Sequence, residues 1–215
     1  MSQVAEGADT GVEGNGRLTG TVGLVLLVLL FAEGVTILSI RGLITVHVFL
    51  GLILVPPVVL KIAATTYRFA RYYTHAAPYV RRGPPLALLR LIGPVLIAVT
   101  VLLLASGVWL LVIGPDGSGL VLTVHKGSFV VWFALMAVHV LAHVRETFSL
   151  AGRDWRRAAS LRADQRPADQ RPADRGRGLR AGAVALALVA GVALGAVVTP
   201  TAGAWADRGE QSEGR

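Results

Sequence analysis

The sequence contains no cysteine. Disulfide bonds, iron–sulfur clusters, thiolate zinc sites and haem attached covalently through a Cys-x-x-Cys-His motif are therefore excluded. The chain also lacks a dinucleotide-binding fingerprint, a P-loop and any segment typical of a soluble catalytic domain. We therefore expect it to depend on partners for any overall reaction and not to act as a stand-alone enzyme.

Charged residues are scarce and segregated. They make up 16% of the chain, whereas hydrophobic residues make up 53%, and a soluble domain carries about 25% charged residues. The net charge of +8 could suggest nucleic acid, but the charges fall between long apolar runs. That placement favours a membrane protein, and no nucleic-acid partner is expected.

Five apolar runs reach the length of about 20 residues that crosses a bilayer as a helix. They cover 18–40, 42–66, 86–113, 120–144 and 180–199. The predicted fold is all-α, with a four-helix transmembrane bundle over residues 18–148 and a fifth transmembrane helix. In the fifth run, Gly191 and Gly195 form a Gly-x-x-x-Gly pattern that predicts a close-packing face.

The segments outside the apolar runs are polar or repetitive. Residues 1–17 are predicted to be disordered, and residues 149–179, which repeat Ala-Asp-Gln-Arg-Pro, are predicted to form a flexible linker. Residues 200–215 are expected to be a polar tail. Pro56 and Pro57 remove backbone donors and predict a kink in the second helix.

The distribution of arginine predicts the orientation in the membrane. Segment 68–90 contains five arginines and segment 145–180 contains ten, whereas the 39–42 connection has only Arg41 and the 114–119 connection has none. Positively charged loops stay in the cytoplasm. The amino terminus is therefore predicted to be cytoplasmic and, after five crossings, the carboxyl terminus external.

Two histidines near the start of the second and fourth runs are the strongest candidates for a functional site. Ionisable groups inside a bilayer are costly and usually functional. His47 lies five residues after Gly42 and His125 six after Gly119, so the two rings are expected at one level in the outer leaflet. The second and fourth helices of a bundle lie across a diagonal, where two imidazoles can hold a haem iron from opposite sides. Gly51, one turn after His47, is expected to admit the edge of the ring.

The fourth run has a polar and aromatic face at helical spacing. It consists of His125, Ser128, Trp132, Met136, His139 and His143, and we expect it to look into the bundle. His139 follows His125 by fourteen residues, and the equivalent position after His47 is Lys61. The binding of a second haem through His139 is therefore kept as an alternative. Lys61 could pair with a haem propionate or snorkel to the interface.

Two alternatives concern the cytoplasmic ends of the same helices. Arg68 and Arg71 could hold haem propionates or anionic lipid headgroups. His139, His143 and Glu146 share a helical face that could hold zinc or iron.

Two segments of the chain resemble uncharacterised actinobacterial membrane proteins. They are Leu60-Lys61-x6-Arg68-x2-Arg71-Tyr72-Tyr73 and His125-Lys126-Gly127-Ser128-Phe129-x2-Trp132-x6-His139-Val140-x2-His143. Over residues 18–148 the chain resembles membrane b-type cytochromes, among them the cytochrome b of quinol-oxidising complexes and smaller four-helix relatives, which carry histidines about four turns apart on two helices. In that resemblance His47 matches the outer ligand on one helix, and His125 and His139 match the outer and inner ligands on the other. Lys61 departs from that pattern because it stands where a fourth histidine is expected.

The resemblance implies a haem-binding bundle in a bacterial plasma membrane. It would contain one haem b, or two, and transfer electrons between the quinone pool and a partner redox protein. Besides the lipid bilayer, a quinone and that redox protein are the implied partners. The competing hypotheses are a membrane scaffold with structural histidines and a metal-dependent membrane protein that uses His139, His143 and Glu146.

Overall fold

The computed structural model describes the backbone of residues 2–81, 87–161 and 177–207, and the side chains of residues 12, 14–80, 91–142 and 177–207. Within those ranges the chain forms helices and short turns, without strands. The helices are α1 (Ser2–Ile37), α2 (Ile40–Tyr73), α3 (Ala77–Arg81), α4 (Ala87–Ile113), α5 (Gly119–Leu161) and α6 (Arg177–Val198), followed by a 3-10 turn, Thr199–Ala202.

Five of the described helical segments are long and apolar enough to cross a membrane. They are Gly14–Ile37, Ile40–Tyr73, Leu91–Ile113, Gly119–Ala142 and Arg177–Asp207. The prediction of an all-α membrane helical bundle is therefore confirmed.

Two short connections organise the helices into antiparallel hairpins. Residues 38–39 join α1 to α2, and residues 114–118 join α4 to α5. In the second connection Gly114 has a φ of +68°, which glycine adopts without the steric penalty of a side chain. Both predicted turns are therefore present.

Two helices extend into segments that were predicted to be irregular. α1 begins at Ser2, so the segment 1–17 expected to be disordered is helical from Ser2 onwards, and α5 continues to Leu161, inside the expected linker. Residues 2–17 and 145–161 contain no proline, the residue that most strongly interrupts a helix. The rest of the linker repeat, 162–176, and the end of the tail, 208–215, lie outside the described residues.

α2 is irregular near its start. Leu43 has non-helical φ and ψ of −116° and 15°, where the helix kinks, and Pro56 and Pro57 lie farther along inside the same helix. A bend at the two prolines stays a prediction. The observed kink comes one turn before His47.

α2 is the central helix, because α1 and α6 both pack against it. Between α1 and α2 the buried core consists of Val22, Leu26, Leu54 and Val58. On α6, a Cβ atom placed on Gly191 would lie 2.6 Å from the Ile53 carbonyl oxygen, and one on Gly195 would lie 2.8 Å from the Phe49 ring. The predicted close-packing face of the fifth span therefore packs directly on α2.

Candidate functional site

His47 on α2 is held through its Nδ1 atom by two residues of α1. Nδ1 lies 3.0 Å from Oε1 of Glu33 and 2.8 Å from Oγ1 of Thr36. The Thr36 hydroxyl donates its own hydrogen to the Glu33 carbonyl oxygen at 2.6 Å, so its oxygen accepts from the imidazole. Nδ1 therefore carries the hydrogen, and Nε2 carries the lone pair that can bind a metal.

His125 on α5 is held in the same manner by two residues of α4. Its Nδ1 lies 3.1 Å from the Leu103 carbonyl oxygen and 3.1 Å from Oγ of Ser106, and the Ser106 hydroxyl donates to the same carbonyl at 2.9 Å. A carbonyl oxygen only accepts, so Nδ1 again carries the hydrogen. The ring lies against Gly107, where a Cβ atom would come within 3.1 Å of the imidazole Cε1.

The two histidine sites share one construction. In each hairpin, two residues three positions apart on the first helix present oxygens to the Nδ1–H of a histidine on the second. His47 follows residue 39 by eight positions and His125 follows residue 118 by seven, so both lie at a similar depth below the same face of the bundle.

The imidazoles of His47 and His125 are close enough to interact electrostatically. In the described part of the chain, however, the hairpins meet chiefly through the backbones of α2 and α4, and α2 and α5 are not in extensive backbone contact. The two imidazoles are thus brought towards each other from helices whose backbones stand apart. A cofactor that takes one ligand from α2 and one from α5 requires this separation of the two helix backbones.

Gly51 and Trp132 both lie at contacts between neighbouring helices. A Cβ atom on Gly51 would lie 3.4 Å from Oε1 of Glu33, so the Glu33 carboxylate lies against this glycine. Trp132 is buried and donates from Nε1 to Oγ1 of Thr100 on α4 at 3.0 Å. The face of α5 that carries Trp132 and His125 therefore packs against α4.

The Trp132–Thr100 hydrogen bond should contribute measurably to the stability of the α4–α5 hairpin. Thr100→Val keeps the side-chain shape but leaves the Trp132 donor unsatisfied, so we expect the free energy of unfolding in detergent to fall by about 1 kcal/mol. Thr123→Val is the matched control, because the exposed Thr123 hydroxyl bonds only the Gly119 carbonyl of its own helix. Equal stability of the two variants would contradict the role of this hydrogen bond.

Lys61, Arg68 and Arg71 lie far from the two histidine sites. They follow His47 by 14, 21 and 24 residues, which corresponds to roughly 21, 32 and 36 Å along a helix. Lys61 Nζ donates to the Thr19 carbonyl oxygen of α1 at 2.6 Å. These three residues therefore belong to the opposite end of the bundle from His47.

At that opposite end, aromatic and basic side chains cluster together. The Arg71 guanidinium lies over the Tyr79 ring at 6.0 Å, and the Tyr67 and Tyr79 rings meet edge to face with centroids 6.2 Å apart. Aromatic and basic residues at the end of a span are typical of the membrane interface.

The other predicted metal site falls at the edge of the described residues. His139 is half-buried on α5, whereas the side chains of His143 and Glu146 lie outside the part of the chain described here. Among the side chains that the structure does describe, no group of three or more histidine, aspartate or glutamate residues could hold a metal ion.

Sequence reasoning missed the residues that hold the two imidazoles. Glu33 is the only acidic residue in the first apolar run, and Thr36 follows it by three positions. Together with the short 38–39 connection, that spacing places both opposite the first turns of α2. Ser106 gives a weaker signal, because a hydroxyl in a transmembrane helix commonly bonds only its own backbone.

Comparisons with protein-family models, curated proteins and solved structures found no match. The function is therefore inferred from the geometry of the two histidine sites.

Proposed function

We propose that the chain is a membrane b-type cytochrome in which His47 and His125 bind one haem b from opposite sides. The supporting observation is that each imidazole donates its Nδ1–H to an oxygen fixed on the preceding helix, which leaves both Nε2 lone pairs for a metal. Metal-ligating histidines almost always donate their other ring N–H to a carboxylate or a carbonyl. Glu33 supplies a carboxylate acceptor to His47, and Leu103 supplies a carbonyl acceptor to His125.

The chemistry of the donors fits haem iron. Both donors are imidazole nitrogens in apolar helices, and haem needs little else from the protein than axial ligands and an apolar surround. Haem bound in this way supplies a one-electron couple with no open coordination position, which suits electron transfer. The Glu33 and Thr36 oxygens orient one ring, and the Leu103 and Ser106 oxygens orient the other.

We propose a quinone in the bilayer and a separate redox protein as the electron-transfer partners, because the chain lacks any other recognisable redox group. The arginine distribution supports a cytoplasmic amino terminus and an external carboxyl terminus, and the resemblance to actinobacterial membrane proteins supports a bacterial plasma membrane. In that orientation the haem lies near the external face. Arg68 and Arg71 lie at the cytoplasmic face, within reach of anionic lipid headgroups.

One optical measurement tests the cofactor assignment. We expect the detergent-purified full chain, expressed with haem supplied, to give a low-spin b-type reduced-minus-oxidised spectrum and one haem per chain by the pyridine haemochrome assay. A colourless protein would overturn the proposal and favour structural histidines. Two haems per chain would show that the end of the bundle around His139 and Lys61 also binds one.

A further inference from the structure

The two proposed ligands differ in the charge of the group that holds them. His47 Nδ1 lies 3.0 Å from a carboxylate oxygen of Glu33, whereas the described oxygens that face His125 Nδ1 are the neutral ones of Leu103 and Ser106. The Glu33 side chain is 14% exposed. A carboxyl group inside a bilayer is costly unless it has a partner, and His47 is the partner that the structure provides.

The surroundings of Glu33 are arranged around this contact. Gly51 lies beside Oε1, where a Cβ atom would come within 3.4 Å, so a larger side chain would crowd the carboxylate. The other oxygen, Oε2, is buried and has no hydrogen-bond partner among the residues that the structure describes. The hydrogen bonding of this carboxylate is therefore directed at the imidazole of His47.

We infer that Glu33 is the positioning residue that makes His47 the stronger electron donor of the two axial ligands; this inference rests on the proposed function. A carboxylate that accepts from the non-ligating N–H fixes the ring and raises the basicity of the ligating nitrogen. Its negative charge would also favour the more positively charged, oxidised state of an iron bound through His47. Both effects stabilise the ferric state, so Glu33 lowers the reduction potential.

The test compares Glu33→Gln with variants that remove only a hydroxyl. Glutamine keeps an oxygen acceptor but removes the charge, so we expect haem to remain bound and its midpoint potential, measured by spectroelectrochemical titration at fixed pH, to shift positive. Thr21→Val and Thr123→Val are the controls, and both should keep the wild-type potential because each removes an exposed hydroxyl that bonds a carbonyl of its own helix, that of Arg17 and that of Gly119 respectively. A merely structural role of Glu33 would not shift the potential.

The outcomes separate this inference from the cofactor assignment. A haem-loaded Glu33→Gln variant with the wild-type potential would overturn the role of Glu33 and leave the haem proposal intact. Absence of haem from the wild-type chain would overturn both.

A measurement on the haem-free protein tests the inference if the Glu33→Gln variant does not bind haem. When the histidines of the protein are labelled with nitrogen-15, NMR reports which ring nitrogen of His47 carries the hydrogen. We expect the Nδ1–H form in Thr36→Val, where Glu33 alone holds the ring, and its loss in the Thr36→Val/Glu33→Leu double variant. Persistence of the Nδ1–H form in the double variant would overturn the inference.

Discussion

His47→Ala and His125→Ala are each expected to remove haem from the protein. Loss of even an outer partner of a metal ligand typically lowers metal affinity about 10- to 100-fold, so loss of an axial ligand should lower haem affinity by more than that. The measurement is the haem content per chain after purification at equal haem supply. Any haem that remains should show a changed spectrum, because one coordination position is now open.

His139→Ala is the matched control for this experiment. His139 is also a half-buried histidine inside a span, fourteen residues after His125 on α5, or roughly 21 Å along the helix. We expect that variant to retain one haem with an unchanged spectrum. An unchanged low-spin spectrum in either His47→Ala or His125→Ala would refute the ligand assignment.

The fold of the ligand variants needs its own check, because each substitution also deletes a contact between helices. His47→Ala leaves the Glu33 carboxylate without its imidazole partner, and His125→Ala removes one of the two side-chain donors to the Leu103 carbonyl. Circular dichroism and size-exclusion chromatography should therefore accompany the haem assay. Loss of haem from a variant that stays helical and monodisperse assigns the effect to ligation.

The spans could be predicted from the sequence because a bilayer requires long apolar runs. The positions where helices end outside the bilayer could not be predicted equally well. α5 continues from Gly119 to Leu161, past the arginine at 145 where the apolar run stops, because a helix continues after its surroundings become aqueous unless a breaker intervenes. Hydropathy shows which part of a helix lies in lipid, but it does not show where the helix ends.

The candidate ligands could be found from the sequence, but the residues that hold them could not. His47 and His125 stand out as polar groups in apolar runs. Thr36 and Ser106, by contrast, look like ordinary hydroxyls that bond their own helix, which both of them also do. Only the packing of one helix on the next shows that the same oxygens face an imidazole.

The side chain that faces a small residue could not be predicted from the sequence. The structure places Gly51 against Glu33, while its contact with the edge of a cofactor stays a prediction. The Gly191-x-x-x-Gly195 pattern likewise predicted close packing, but it did not indicate which helix it packs on. That helix is α2, which also carries His47.

Gly191→Leu is expected to separate α6 from α2. A Cβ atom at this position would lie 2.6 Å from the oxygen, 3.0 Å from the Cα and 3.2 Å from the carbonyl carbon of Ile53. These are backbone atoms, which cannot rotate away as a side chain does, so the helices must move apart. Overpacking usually costs about 1–3 kcal/mol, and we expect the upper end of that range in the unfolding free energy in detergent.

Gly182→Leu provides the control on the same helix. A Cβ atom on Gly182 meets nothing within 4 Å, so the same increase in side-chain size should leave the stability within about 0.5 kcal/mol of the wild type. A Gly191→Leu variant as stable as Gly182→Leu would show that α6 does not pack on α2 through this face.

The same substitution should also weaken the His47 site. Phe49 lies two residues after His47, and its ring faces Gly195, where a Cβ atom would come within 2.8 Å. α6 therefore supports α2 on the turn that follows His47, and a displaced α6 removes that support. We expect Gly191→Leu, but not Gly182→Leu, to lower haem content. Full haem in a destabilised Gly191→Leu variant would show that α1, through Glu33 and Thr36, is sufficient to hold the imidazole in place.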